Sequence, residues 1–203
     1  PRSTLFPYTT LFRSHIAADK SAKGLPVFIN IHGGGWTHGY KEWMGLNAPV
    51  ITQFPAVYVA IEYGLSPTQR HPKQLHDCLL ALAWVHKNIA GHGGDPQRLF
   101  IGGHSAGAHL SALTTVRRDL FAQYGLPPDV IKGCLPYSGV YDFRDMVMYG
   151  QSATGGPAEN LFTQEGDKVD ASPIAFLEGL KTPFFVTSIW RSEERRVGKE
   201  CRS

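Results

Sequence analysis

The most constraining stretch of the chain is a glycine-bounded serine, Gly103-His104-Ser105-Ala106-Gly107, set between an apolar run and a helical one. Arg98 to Gly102 (RLFIG) reads as a short buried strand, and Ala106 to about Arg117 as a helix. A strand that turns into a helix this abruptly brings two backbones too close for ordinary side chains, which is the reason for small residues on both sides of the serine. The serine hydroxyl is then held clear of the sheet at a helix N-terminus. The bare G-x-S-x-G pattern is common, and an ordinary glycine turn with a surface serine is the alternative; strand before and helix after make the pattern specific.

The rest of the chain has the matching rhythm. Leu25 to His32 (LPVFINIH) and Ala56 to Glu62 (AVYVAIE) are apolar, β-branched runs of the kind found in buried parallel strands. Asn47 to Phe54 is expected to be helical between them. Pro72 to Ile89 places Leu75, Leu79, Leu82 and Val85 at helical spacing, and Gly91 to Pro96 (GHGGDP) reads as a turn. Further strands are expected at Ile131 to Ser138 (IKGCLPYS) and Pro183 to Ser188 (PFFVTS), with a less regular Asp142 to Thr182 between. Strands alternating with helices at these intervals predict an α/β domain, a mostly parallel sheet with helices on both faces.

Composition narrows the function classes. The 203 residues are 42% hydrophobic and 18% charged, as in an ordinary globular domain. No run of eighteen apolar residues suggests a membrane span. Three cysteines without a CxxC pair argue against a disulfide scaffold or a zinc finger, and no metal-ligand spacing occurs. The net charge of +3 would suggest nucleic acid, but it comes from the ends.

Arg2 to Ser14 (RSTLFPYTTLFRS) and Arg191 to Ser203 (RSEERRVGKECRS) are related as antisense translations of one DNA segment. Arg2 as AGA has the antisense codon TCT, Ser203; Phe6 as TTT gives AAA, Lys199; Tyr8 as TAC gives GTA, Val197; all thirteen pairs close in frame. The implied DNA resembles a sequencing adapter in opposite orientations, the alternative being a basic tail. Residues 1–14 and 191–203 are therefore expected to be non-native, and residues 15–190 to be a partial domain incomplete at both ends. The tails hold seven of the 20 basic and three of the 17 acidic residues, leaving thirteen against fourteen and no nucleic-acid patch. Of the thiols, Cys78 and Cys134 remain, compatible with a reducing, cytoplasmic setting.

His32-Gly33-Gly34-Gly35-Trp36 follows the first strand. Acyl transfer needs N–H donors aimed at the oxyanion of a tetrahedral intermediate, and consecutive glycines let a loop turn its amides inward. The amides of Gly34, Gly35 and Ala106 are the candidate donors, with His32 ordering the loop from behind and Gly103 and Gly107 shaping the corner. A phosphate loop is the rival reading, but the lysine of a P-loop and the G-x-G-x-x-G spacing are both lacking. Trp36 either walls the acyl pocket or packs under the loop; Met146, Met148 and Tyr149 either line a lid or belong to the core.

HGGGW together with GHSAGAHL resembles the α/β-hydrolase superfamily, in its esterase/lipase branch related to hormone-sensitive lipase. Glu62 to Pro67 (EYGLSP), Asp95-Pro96 and Ser138 to Asp142 (SGVYD) agree with it; the octet and SGVYD look especially like kynurenine formamidases. The resemblance implies the α/β-hydrolase fold and a serine hydrolase of small ester or formamide substrates, without a cofactor. It makes Ser105 the nucleophile, followed in chain order by an acid and a histidine. Those two are expected beyond Trp190, with Asp142 as a secondary candidate for the acid; Glu193 and Glu194 fall in the adapter-like tail. His104, His109, His71, His76, His86 and His92 are read as packing or surface residues. A catalytically silent ligand-binding protein on the same fold is the reading from another class.

Overall fold

The computed structural model describes residues 12–16, 22–144, 161–164 and 166–187. Five strands form one sheet: β1 (Phe12–Ile16), β2 (Leu25–Ile31), β3 (Val57–Ile61), β4 (Gly94–His104) and β5 (Ile131–Tyr137), in the order β1-β3-β2-β4-β5. β2 runs parallel to both β3 and β4, and β4 parallel to β5, while β1 lies antiparallel on the outer edge of β3. Residues 183–187 continue the sheet past β5: parallel bridges join Cys134 to Phe184 and Tyr137 to Thr187. The main-chain ladder there is regular, with Cys134 N–H donating to Pro183 O at 3.0 Å and Phe185 N–H to Cys134 O at 2.9 Å. Ser188 and Trp190 lie outside the described residues.

The centre of the sheet is buried on both faces, which is why β3 reads as an unbroken apolar run, all five of its residues being buried. Side chains alternate: Val27, Ile29 and Ile31 of β2, Val57, Val59 and Ile61 of β3 and Leu99 and Ile101 of β4 meet α2 (Lys73–Asn88) and α3 (Ala106–Val116) in the large core. α2 buries Leu75, Cys78, Leu79, Leu82 and Val85, the predicted stripe, and Pro72 stands at its N-cap. α3 is buried at every position, so it carries no polar face; Ser111 and Thr115 satisfy their hydroxyls on Ala108 O and Ser111 O within the helix. On the opposite face Tyr58 and Ala60 pack with Ala48, Phe28, Met44 and Ile51.

Two expectations are adjusted. Within the helix expected over Asn47 to Phe54 only one α-turn forms, α1 (Ala48–Ile51), preceded by a 3₁₀ segment, Lys41–Asn47. Tyr58 ties down the 3₁₀ segment by donating to Met44 O at 2.7 Å. The turn expected at Gly91 to Pro96 ends earlier: Gly93 at φ 85° closes a short 3₁₀ turn, and β4 already begins at Gly94, paired with Leu25. The ladder shifts register between Leu25 and Val27, and that irregularity is what admits Pro96 inside a strand. β1 spans residue 14; an outer strand is held by main-chain hydrogen bonds that any extended sequence supplies, so its pairing does not bear on where the tail ends. The less regular stretch contains α4 (Asp167–Asp170) and a 3₁₀ turn, Pro173–Phe176.

The close approach of α3 to the sheet generates a stability prediction. A Cβ on Gly107 would lie 2.1 Å from Ile31 O and 2.7 Å from His32 O, whereas one on Gly91 would meet nothing within 4 Å. Gly107→Ala is expected to cost about 3 kcal/mol in urea unfolding, and Gly91→Ala to stay within about 0.5 kcal/mol; equal effects would contradict the contact.

Candidate active site

Ser105 stands at the corner between β4 and α3 with φ 55° and ψ −119°, a conformation that L residues rarely adopt and that costs on the order of 1–3 kcal/mol. The corner is over-determined by its neighbours. A Cβ on Gly103 would meet Ile31 O at 2.5 Å and the Gly107 carbonyl carbon at 2.7 Å, so on either side of the serine, at Gly103 and Gly107, only a hydrogen fits. Ser105 N–H donates to Tyr137 O at 3.1 Å, tying the corner to the end of β5. Ala106 opens α3, whose first amides have no acceptor within the helix.

The glycine loop lies against this corner. A Cβ on Gly33 would stand 2.7 Å from His104 O and 3.4 Å from the Ser105 Cβ. Gly34 O accepts from the amides of Thr37 and His38, closing a tight turn with φ 112° at Gly34, 58° at Gly35 and 61° at Trp36. Among the described residues the amides of Gly34 and Gly35 have no acceptor. The structure thus brings Gly33, the nearest glycine of the loop, Ser105 and the start of α3 together at the C-terminal ends of β2 and β4, the usual place for a site in an open parallel sheet.

Behind the loop, His32 is fully buried, its Nδ1 2.8 Å from Gly33 O and its Nε2 2.8 Å from Glu62 Oε1. Tyr63 stacks on the ring at 4.3 Å and donates to His32 O. Glu62 also accepts from the Lys41 amide at 3.2 Å and lies 3.6 Å from Lys41 Nζ. Burial pushes the Glu62 carboxyl up, but the bonds from His32 and the Lys41 amide outweigh it and hold it below its ordinary value. Sequence reading left Glu62 without a role. The reason lies in the register: Ile31 pairs with Ile61 in parallel, which makes His32 and Glu62 neighbours only once β2 and β3 are side by side.

Trp36 is 5% exposed and packs under the loop. Its indole N–H donates to His109 Nδ1 at 3.0 Å, and its ring meets Phe143. His109 is fully buried. His104 is exposed and stacks on Tyr137 at 5.1 Å. His71 bonds Asp170 at 2.7 Å, His76 bonds the Tyr124 hydroxyl, His86 lies 3.3 Å from Pro96 O and His92 sits beside Trp84. Asp142 is gripped by Arg144, whose Nε and Nη2 donate at 2.8 and 2.7 Å; the Arg144 hydrogen bond holds its carboxyl below the usual range. Among the described residues no histidine ring hydrogen-bonds either Asp142 or the Ser105 hydroxyl. Among the described residues no group of three or more His, Cys, Asp or Glu could hold a metal ion, and no helix is long and apolar enough to cross a membrane. Met146, Met148, Tyr149, Glu193 and Glu194 lie outside the described residues.

Comparison with known proteins agrees with this geometry. The BD-FAE family model matches residues 15–189. The chain belongs to the BD-FAE family. Proteins similar to this BD-FAE chain include Esterase LipQ of Mycobacterium tuberculosis, 33% identical over 174 residues, and the probable carboxylic ester hydrolase LipM of the same organism, 32% identical over 173. Each match covers 79% of this chain and 40% of the relative, so the chain spans about two fifths of their length. In fold it is similar to Esterase B from Lactobacillus rhamnosis, with a TM-score of 0.74, 19% identity and 86% of this chain against 59% of that one. A fungal esterase from Rhizomucor miehei superposes with a TM-score of 0.67 at 26% identity, covering 81% of this chain and 54% of that one. The sheet order, the corner serine and these likenesses establish the α/β-hydrolase fold in this BD-FAE chain.

The Glu62–His32 pair carries a pH prediction. A carboxyl held below its unfolded value contributes stability that is full above the unfolded pKa and lost as pH falls through the folded one. The stability difference between wild type and Glu62→Gln is expected to hold above about pH 4.5 and to shrink below it, measured by urea unfolding across pH; a difference constant down to pH 3 would contradict the pair.

Proposed function

We propose that Ser105 is the nucleophile of a serine hydrolase acting on carboxylic esters. The observation that carries this reading is the Ser105 conformation, a strained corner at the N-terminus of α3 with the glycine loop packed against it. The esterase names of LipQ and LipM support the substrate class. The hydroxyl attacks the ester carbonyl; a histidine takes its proton and later gives it to the leaving alcohol. The amides of Gly34, Gly35 and Ala106 receive the oxyanion, with the positive end of the α3 dipole behind Ala106. Water then releases the acyl-enzyme, and no step calls for a metal or a cofactor.

No described histidine stands at the Ser105 hydroxyl, and Asp142 is engaged by Arg144. The acid and the base are therefore assigned to chain that follows residues 183–187, in the order Ser, acid, His that this fold uses. The 203-residue chain by itself is expected to hydrolyse esters only weakly, since removing the activating histidine costs on the order of 10⁶ in kcat in a comparable hydrolase. The G-H-S-A-G-A-H-L octet keeps a formamide substrate as the second reading.

The test compares p-nitrophenyl acetate with N-formylkynurenine, using the protein extended by the native continuation of residues 183–187. The extended protein is expected to turn over the ester, Ser105→Ala to lower kcat by about 10⁴-fold or more, and the 203-residue chain to stay near background. Preference for the formamide would select the second reading. An extended protein inert on both, with Ser105 intact, would favour a ligand-binding protein.

A further inference from the structure

His109 is buried, titratable and unused by the reaction just described. It lies one helical turn after Ser105, and its amide donates to Ser105 O at 3.0 Å, so ring and nucleophile belong to one rigid turn. Its Nε2 is 2.8 Å from Ala171 O, and a carbonyl only accepts, so the proton sits on Nε2. Nδ1 is then the bare acceptor that the Trp36 indole requires, at 3.0 Å. Burial pushes the imidazole pKa down to about 3, which keeps it neutral and in this tautomer.

Trp36 gives the contact its consequence. It holds φ 61°, in the left-handed region where a tryptophan is strained, and it directly follows Gly34 and Gly35. A strained residue keeps its conformation only when its surroundings hold it there. Phe143 packs on Trp36 and on His109, with ring centroids at 5.7 and 4.9 Å, and closes the space around the bond. Ala171 is anchored in turn, its amide on Asp167 O at 2.8 Å and its neighbour Asp170 on Arg117 at 2.7 Å. Filling the site with an apolar ring would preserve the packing but strand the indole N–H and the Ala171 carbonyl.

We propose that His109 is a positioning residue: through Trp36 it bolts the oxyanion loop to the helix that carries Ser105, so that donors and nucleophile move as one body. The proposal rests on the reading of Ser105 as the nucleophile. An oxyanion donor displaced by an ångström loses transition-state stabilisation while ground-state binding barely changes, so the expected signature is in kcat.

The test uses the extended protein and p-nitrophenyl acetate. His109→Phe is expected to lower kcat by about 10- to 100-fold with KM within about 3-fold. His109→Gln, whose amide can accept from the indole and donate to Ala171 O, is expected to recover most of that loss. Trp36→Phe should match His109→Phe, and the double variant should be no worse than either, since both remove one bond. An unchanged kcat in folded His109→Phe, with only the melting temperature lowered, would overturn the proposal, as would full additivity. Should His109→Phe not fold, ¹⁵N NMR of the wild-type ring decides: a bare Nδ1 with Trp36→Phe slowed in kcat supports it, and a protonated Nδ1 overturns it. Ser105→Ala at wild-type rate would instead defeat the nucleophile assignment, whatever the His109 variants do.

Discussion

The approach of the first turn of α3 to the ends of β2 and β4 is the constraint on which the rest of the structure depends. Ile31 O occupies space that a Cβ on Gly107 or Gly103 would need, at 2.1 and 2.5 Å, so helix and strands meet backbone to backbone. With no room for side chains at the two glycines, the residue midway between them is forced out of ordinary φ/ψ space, and Ser105 takes φ 55°. The strain is offset by burial all along α3 and by the apolar strands beneath it. What this arrangement yields is a serine held at a helix N-terminus in a rigid setting, the positioning that the proposed nucleophile requires.

A second backbone has to be held beside that corner, and a run of three glycines has no stiffness of its own. The loop is pinned at both ends. His32 is clamped from behind by Glu62 and Tyr63, and Trp36 is anchored below by His109 and Phe143. Between the two pins, Gly33, Gly34 and Gly35 supply the tight path that places the loop on Ser105. The polar groups doing the pinning are paired, His32 and His109 fully buried and Glu62 half-buried, which is how a flexible sequence becomes a defined surface.

Much of this was legible in the sequence, for identifiable reasons. The stripe of Leu75, Leu79, Leu82 and Val85 and the unbroken runs of β2 and β3 are consequences of burial, which dominates residue choice in helices and parallel strands, so α2, α3 and the central sheet were readable. GHSAG and HGGGW were readable because each glycine answers a steric demand. The 3₁₀ segment that precedes α1 was not, since Lys41–Asn47 is held by a tertiary bond from Tyr58 rather than by its own periodicity. The early start of β4 was hidden because Gly94, Asp95 and Pro96 look like a turn until β2 is beside them. The partners of His32 and His109, namely Glu62 and Ala171, are 30 and 62 residues away, and no local pattern announces them.

The most direct measurement is a crystal structure of the extended protein after reaction with a p-nitrophenyl alkylphosphonate, which mimics the tetrahedral intermediate. The account predicts phosphorus bonded to Ser105 Oγ and the phosphoryl oxygen within about 3.1 Å of the amides of Gly34, Gly35 and Ala106. An adduct on another residue, or a phosphoryl oxygen turned away from the glycine loop, would contradict it.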